Sequence, residues 1–160
     1  MRALSLWEPW ATLIRMGVKR VETRSWSTLY RGPLLICAAK GGLPKHELRT
    51  VLHDCMCDGV LLHEEDLHFG KAVAVGNLVD CVSTNNVQYW RARRDQWPWG
   101  DFSPDRYGWV LDPIQAIGPI PIRGKQGLFE VEDWVTTVGD GPLAKGGIHR
   151  PVHRPLVGES

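Results

Sequence analysis

The hydrophobic period of this chain changes at Gly17. In WEPWATLIRMG, residues 7–17, apolar side chains recur at the spacing of one helical face, and Pro9 is compatible with a first helical turn. In VKRVETRSW, residues 18–26, charged and β-branched residues alternate instead, which predicts a strand. A helix followed directly by a strand already indicates a fold of mixed α and β structure.

The predicted strand is rich in charge. Its period of two places Arg20, Glu22 and Arg24 on one face, and Val21 and Thr23 on the other. Exposed ion pairs among the charged residues, each worth less than about 1 kcal/mol, are one explanation of this pattern. A binding or catalytic pocket is the other.

Three features favour the pocket. The first turn of the preceding helix carries Trp7 and Trp10. Glu22 lies between two arginines, an arrangement that keeps a carboxylate ionised and holds the guanidinium groups in place. A fixed arginine beside aromatic rings offers a planar hydrogen-bonding fork and a stacking surface, which suits a base or a phosphate. Lys19 lies at the helix-to-strand turn, where the pleat does not fix its direction.

The other segments predict a small barrel. Five more are strand-like, namely 2–6, 31–40, 70–82, 107–117 and 119–132, and residues 44–66 are helical in composition but broken by Gly59. Short strands with one helix after the first strand and another between the third and fourth predict an α+β fold. We expect a small mixed β-barrel with two or more flanking helices. A doubly wound sheet fits poorly, because regular βαβ alternation is missing.

Two segments are expected outside the barrel. Residues 84–106 are Trp-rich but contain many Pro, Asp and Arg residues, which predicts a surface insertion in a domain spanning 1–135. Residues 136–160 form a basic tail with Gly and Pro throughout and no apolar period. RARRDQWPW, 91–99, and IHRPVHRP, 148–155, could extend a binding surface, or could be a solvated loop and a disordered tail.

Composition limits the function classes. Nineteen Lys and Arg against eighteen Asp and Glu leave a formal charge of +1, which excludes a protein that coats nucleic acid by bulk charge alone. A local basic patch stays compatible with this balance, because steering depends on where the charges lie. Eight tryptophans in 160 residues favour a planar ligand or partner, since the indole ring is a stacking platform.

The four cysteines do not indicate a metal centre. HDCMCD contains His53, Cys55 and Cys57, but the second ligand pair of a structural zinc site is missing, so we expect no metal and no cofactor. The N-terminus lacks the h-region and cleavage site of a signal peptide, and no apolar stretch is long enough to span a bilayer. A reduced, cytoplasmic protein is therefore expected.

The segment LSLWEPWATLIRMGVKRVETRSW resembles the ASCH domain family (activating signal cointegrator 1 homology), whose signature is G-x-K-x-x-E-x-R. Here the signature falls on Gly17, Lys19, Glu22 and Arg24. The segments YRGPLLICAAK, GKAVAVGNLVDCV and YGWVLDPIQAIGPIPIRGKQGLFEV follow in the expected order. The resemblance covers most of residues 3–132 and leaves out the Trp-rich segment and the tail.

The resemblance implies a PUA-like β-barrel with a cleft lined by the signature residues. In that cleft Lys19 and Arg24 would offer cationic donors to a phosphate or a base carbonyl, and Glu22 would orient them or accept from an exocyclic amine. Three tryptophans and a further lysine complete the expected binding residues: Trp7, Trp10, Trp26 and Lys40. The expected partner is RNA or single-stranded DNA, or a modified nucleoside.

Two alternatives to a binding module stay open: a hydrolase, either an amidohydrolase or a nuclease as the resemblance allows, and a protein-interaction domain. One branch of the family comprises amidohydrolases of N4-acetylcytidine, and their catalytic lysine would fall on Lys19. Their threonine position is occupied by Glu22, adjacent Thr23 is expected to point away, and the distant glutamate has only Glu64 and Glu65 as candidates by order. Lys19 and Glu22 could then at best activate a water molecule. The second alternative is a protein-interaction domain with an exposed apolar patch of Trp97, Trp99 and Phe102.

Overall fold

The computed structural model of the chain describes residues 1–132 and two short strands beyond them, 134–135 and 152–153. The helices are α1 Trp10–Arg15, α2 Lys45–Cys57 and α3 Val87–Arg91. The strands are β1 Arg2–Leu6, β2 Val21–Arg24, β3 Gly32–Ala38, β4 Lys71–Ser83, β5 Tyr107–Pro121, β6 Leu128–Glu130, β7 Trp134–Val135 and β8 Val152–His153. Two 3-10 segments, Glu64–Asp66 and Arg94–Trp99, complete the described elements. The predicted tail otherwise lies outside the described residues.

Six strands form one mixed sheet in the order β2-β5-β4-β3-β1-β6. The pair β1 and β3 is parallel, and the other neighbours are antiparallel. Register shifts interrupt the β3–β4 and β4–β5 pairings, and such irregularities increase the twist and bend the strands. The sheet therefore curves into a half-barrel, and the predicted α+β fold with flanking helices is confirmed.

Helix α1 packs on the sheet, and α2 packs against α1 through its apolar face. Leu13 and Ile14 of α1 are fully buried, as the helical spacing predicted, although α1 is shorter than the predicted helical run. It ends before Gly17, whose φ of +77° suits glycine and breaks the helical backbone. Leu48 and Leu52 of α2 join Leu13 in a second buried cluster. Among the described helices, none is long and apolar enough to span a membrane.

Residues 107–121 form one continuous strand, whereas the sequence predicted a break near 118. β4 pairs with β5 as far as Pro121, but β2 covers only Tyr107–Val110 of its other edge. Pro113 and Pro119 therefore lie in the part of β5 beyond β2, where a missing N–H removes no bond to that strand. A loop over residues 122–127 then leads to β6.

The Trp-rich segment is not wholly a surface insertion. Trp90 is 2% exposed, and its Nε1 donates to the Ser83 carbonyl at 2.9 Å. Gln96 is also buried, accepting from the Arg20 amide at 2.6 Å and donating to the Val18 carbonyl at 3.1 Å. The polar composition was misleading because the buried Gln96 amide is bonded to two backbone groups and to the Asp95 carboxylate. This segment therefore packs directly on the helix-to-strand turn.

A pair of glycine substitutions in β5 tests this packing. A methyl group at Gly108 would overlap the Trp90 ring, whereas one at Gly118 would meet nothing within 4 Å. We expect Gly108→Ala to lower the free energy of unfolding by about 1–3 kcal/mol, the usual cost of overpacking a core. Gly118→Ala is the matched control, with a change below about 1 kcal/mol. Urea denaturation measures both, and equal stabilities of the two variants would contradict the buried position of Trp90.

Candidate functional site

A cleft of about 1610 Å³ opens at the ends of β1, β2 and β3. One wall comes from the Trp-rich segment, and another comes from the loop after β5. All seven residues predicted to bind a ligand line this cleft: Trp7, Trp10, Lys19, Glu22, Arg24, Trp26 and Lys40. The convergence that the charged stretch predicted is therefore present.

Lys19 lies at the floor of the cleft and is 1% exposed. Its Nζ donates to the Val21 carbonyl at 2.7 Å and the Trp99 carbonyl at 2.6 Å, and lies 3.1 Å from Glu22 Oε2. Three oxygen acceptors match the three N–H bonds of an ammonium group. Burial lowers the pKa of Lys19 from its ordinary value, and the Glu22 carboxylate opposes that decrease.

Glu22 joins the two cations of the signature into a row. Its Oε2 faces Lys19, and its Oε1 lies 3.1 Å from Arg24 Nε. Arg24 also donates from Nη2 to the Ser5 carbonyl on β1 at 2.9 Å. The Glu22 side chain is 13% exposed and that of Arg24 is 25% exposed, so both present some surface to the cleft. This row fixes β2 against β1 across the cleft floor.

Arg20 does not join the row, although the strand period predicted it on the same face. Its residue lies before β2 begins, and its guanidinium pairs with Asp95 at 2.8 Å in solvent. Thr23 is buried, as alternation predicted, and its Oγ1 accepts from the Asp101 amide at 2.9 Å. Thr23 nevertheless borders the cleft where the Trp-rich wall meets β2.

Three tryptophans give the cleft aromatic surfaces with different exposure. Trp7 is 53% exposed and Trp26 is 36% exposed, whereas Trp10 is partly buried and packs against the core. Trp26 meets the buried Trp109 edge to face, with ring centroids 4.6 Å apart, so its orientation is fixed. Trp7 and Trp26 therefore have ring surface available to a flat ligand.

Charge in the cleft is unlike charge in the whole chain. Six basic and two acidic residues line it: Lys19, Arg24, Lys40, Arg106, Arg123 and Lys125, with Glu22 and Asp101. The complete sequence has nineteen Lys and Arg against eighteen Asp and Glu, so the positive charge is local. Such a concentration attracts anions even where the net charge is small.

Sequence reasoning found one wall of this cleft only in part and missed the other. Residues 91–99, which include Trp99, were one candidate extension of the binding surface, whereas Asp101 and Arg106 were not singled out. Trp99, Asp101 and Arg106 contribute from the Trp-rich side, because long-range packing brings them to β2. Arg123 and Lys125 contribute from the loop after β5, within RGKQG. The second wall could have been found in the sequence. Two glycines close to two basic residues, as in RGKQG, predict an exposed basic turn.

Other sequence candidates lie elsewhere. Glu64 is outside the cleft lining and pairs with Arg49 at 3.2 Å, and Glu65 is exposed on the same 3-10 segment. The apolar patch expected from Trp97, Trp99 and Phe102 does not form, because Trp99 is buried and Phe102 packs on the Trp90 ring.

No group of three or more metal-binding side chains occurs within the part of the chain that the structure describes. Cys57 Sγ lies 3.8 Å from His53 Nδ1 near the end of α2, and both side chains are exposed. Cys55 is buried in the cluster under α2. The HDCMCD motif thus provides a helical surface and one core residue.

Comparison with known proteins decides the family. The family model described as "ASCH domain" matches residues 4–114, which include the signature, the row of charges and the Trp-rich segment. The chain belongs to the ASCH domain family. The match spans a longer part of the Trp-rich region than the sequence resemblance predicted.

Two curated relatives are the human and mouse proteins named activating signal cointegrator 1. This ASCH domain is 30% identical to the human protein over 136 residues and 29% identical to the mouse protein over 133 residues. Each match covers 81% of this chain but 22% of the relative, so the chain spans about a fifth of the length of these relatives.

A solved structure supports the fold. The crystal structure of ASCH from Zymomonas mobilis matches with a TM-score of 0.52 and 17% sequence identity, covering 81% of this chain and 86% of that one. The half-barrel is therefore the ASCH and PUA-like fold that the sequence resemblance implied.

The Lys19 contacts predict a large stability effect. Lys19→Met removes the donor to two carbonyls and to Glu22, so we expect the free energy of unfolding to fall by about 3–5 kcal/mol. Arg20→Met is the matched control, because the neighbouring Arg20 makes an exposed pair worth less than about 1 kcal/mol. Chemical denaturation measures both variants. A Lys19→Met protein as stable as Arg20→Met would show that the row is dispensable for folding.

Proposed function

We propose that this ASCH domain binds single-stranded RNA in the cleft. The observation that carries the proposal is the combination of six basic residues with two exposed indole rings in one hollow of about 1610 Å³. Cations supply the phosphate-dependent part of such binding, and rings supply stacking that every base can use. Single-stranded DNA is the competing ligand that the experiments compare.

The two kinds of groups would contact different parts of a nucleotide. Stacking on Trp7 or Trp26 would hold the base, and the exposed part of Arg24 would donate to a base carbonyl. Glu22 has both carboxylate oxygens paired, but each oxygen can accept a further hydrogen bond from an exocyclic amine. Lys19 would act by holding Glu22, because its three donors already face protein oxygens.

Family membership is consistent with this proposal. Nucleic-acid-binding modules occur in the family that the resemblance identified, and the seven residues expected to bind all border the cleft. Because the chain spans only about a fifth of its curated relatives, the activities of those longer proteins are not transferred to it.

A tryptophan substitution tests the stacking surface. We expect Trp7→Ala to weaken binding of a fluorescent single-stranded RNA by about 5- to 150-fold, which corresponds to roughly 1–3 kcal/mol of stacking per base. Trp97→Ala is the matched control, because Trp97 is also exposed, at 44% against 53%, but lies outside the cleft lining. Fluorescence anisotropy measures both affinities, with labelled DNA of the same sequence in parallel. If Trp7→Ala weakens RNA binding less than Trp97→Ala does, the binding surface lies at residues 91–99 and not in the cleft.

The hydrolase alternative has less support. Glu22 is held between two cations, Lys19 has no free donor, and the Thr23 hydroxyl accepts a bond from the Asp101 amide. A nucleophile needs a base beside it. Within residues 1–132 the Thr23 hydroxyl is bonded only to that backbone amide, and Ser5 Oγ has no hydrogen-bond partner. The described cleft therefore lacks a hydroxyl nucleophile with an adjacent base.

We accordingly expect no release of acetate from N4-acetylcytidine, because no lining hydroxyl is paired with a base. An enzymatic acetate assay with excess protein measures this, and an established amidase provides the positive control. If the unmodified protein releases acetate and Glu22→Gln does not, the protein is a hydrolase. Binding in the cleft would then be the recognition of its substrate.

A further inference from the structure

The basic residues of the cleft fall into two groups. Three are paired: Lys19 and Arg24 with Glu22 at the floor, and Arg106 with Asp101 at 3.4 Å on the Trp-rich side. Lys40, Arg123 and Lys125 are exposed and make no ion pair or side-chain hydrogen bond with residues 1–132. Exposed cations that are not neutralised by a neighbour are the groups that a phosphate can engage at the least cost.

Backbone contacts bring the unpaired cations to one rim. The stem of Lys40 lies against Gly70, where a Cβ would come within 2.9 Å of Lys40 Cγ. The Gly70 carbonyl in turn accepts from the Ile122 amide at 3.0 Å. The lysine after β3 and the loop 122–127 are therefore neighbours, although they are more than eighty residues apart in the chain.

The same loop is seated on the cleft floor. A Cβ at Gly124 would lie 2.5 Å from Ser5 Oγ, so a larger residue would require the Ser5 hydroxyl to move. Ser5 Oγ is buried and has no hydrogen-bond partner within the described chain, and Ser5 borders the cleft. A hydroxyl without a partner beside free cations is a donor that an anionic oxygen could use.

An aromatic ring adjoins this rim. The Trp7 side chain lies 3.5 Å from the position of a Cβ at Gly42, two residues after Lys40. The exposed indole therefore packs beside the chain two residues beyond the unpaired lysine. In a nucleotide bound here, the base would stack on the Trp7 ring and the phosphate would contact the neighbouring basic residues.

We propose that Lys40, Arg123 and Lys125 form the phosphate-binding rim of the cleft, with loop 122–127 facing the backbone of the bound strand. The inference rests on the proposed RNA binding and adds the anion subsite to it. The signature row then positions the base, and the rim supplies the charge-dependent part of the affinity.

The salt dependence of binding tests the rim. For a single strand each phosphate contact adds about 0.7 to the slope of log K against log salt concentration. We expect Arg123→Ala/Lys125→Ala to lower that slope by about 0.7–1.4, whereas Trp7→Ala lowers affinity and leaves the slope unchanged. Lys45→Ala/Arg49→Ala removes the same charge from α2, outside the cleft lining, and is the matched control.

A second measurement separates the rim from RNA binding itself. Amide shifts of residues 122–127 are followed in the full chain on adding adenosine 5′-monophosphate or adenosine. Shifts with the monophosphate alone, lost in Arg123→Ala/Lys125→Ala, support the rim even if RNA fails to bind. The rim would be overturned if the double variant bound RNA with an unchanged slope and if the nucleotide and the nucleoside gave the same amide shifts. That result would leave the proposed function in place.

Discussion

The buried ammonium of Lys19 is the interaction on which the other features of the site depend. Its backbone amide donates to the Leu13 carbonyl of α1, and its Nζ reaches β2 and the Trp-rich segment. One residue therefore connects the helix, the strand and the wall of the cleft. A buried charge is tolerated only when its hydrogen bonds are complete, and here three oxygens complete them. The charge fixes geometry more than it adds net stability.

Glu22 links the buried Lys19 to Arg24, which is partly exposed to the cleft. Because it is shared by Lys19 and Arg24, it neutralises part of the floor and leaves Arg24 partly exposed in a set orientation. The rim cations are exposed and unpaired within residues 1–132. A cleft built this way combines a preorganised polar floor with exposed charge at its edge, and preorganised donors lose less entropy on binding. This division would let a chain of net charge +1 attract the nucleic acid proposed as its ligand.

Local pattern predicted most of the elements but not the whole row. Alternation over residues 18–26 predicted β2 and the sides of Val21 and Thr23. It did not fix the direction of Lys19, so the convergence of Lys19, Glu22 and Arg24 was implied by the family resemblance. Arg20 was misassigned because its residue precedes the strand, where the period of two no longer applies. The burial of the Trp-rich segment could not be predicted locally, since it depends on Gly108 leaving room for the Trp90 ring.

The signature lysine holds the cleft floor together, and the side chains with surface exposed to a ligand are different ones. An ammonium enclosed by two carbonyls and a carboxylate cannot turn to a ligand without leaving buried oxygens unsatisfied, which costs more than one new hydrogen bond returns. A guanidinium could not replace it, because five donors in a plane do not fit three converging acceptors. The lysine of the signature is thus explained by the shape of its enclosure. In the proposed function, recognition would use the groups with exposed surface: the Trp7 ring, the outer edge of Arg24 and the rim cations.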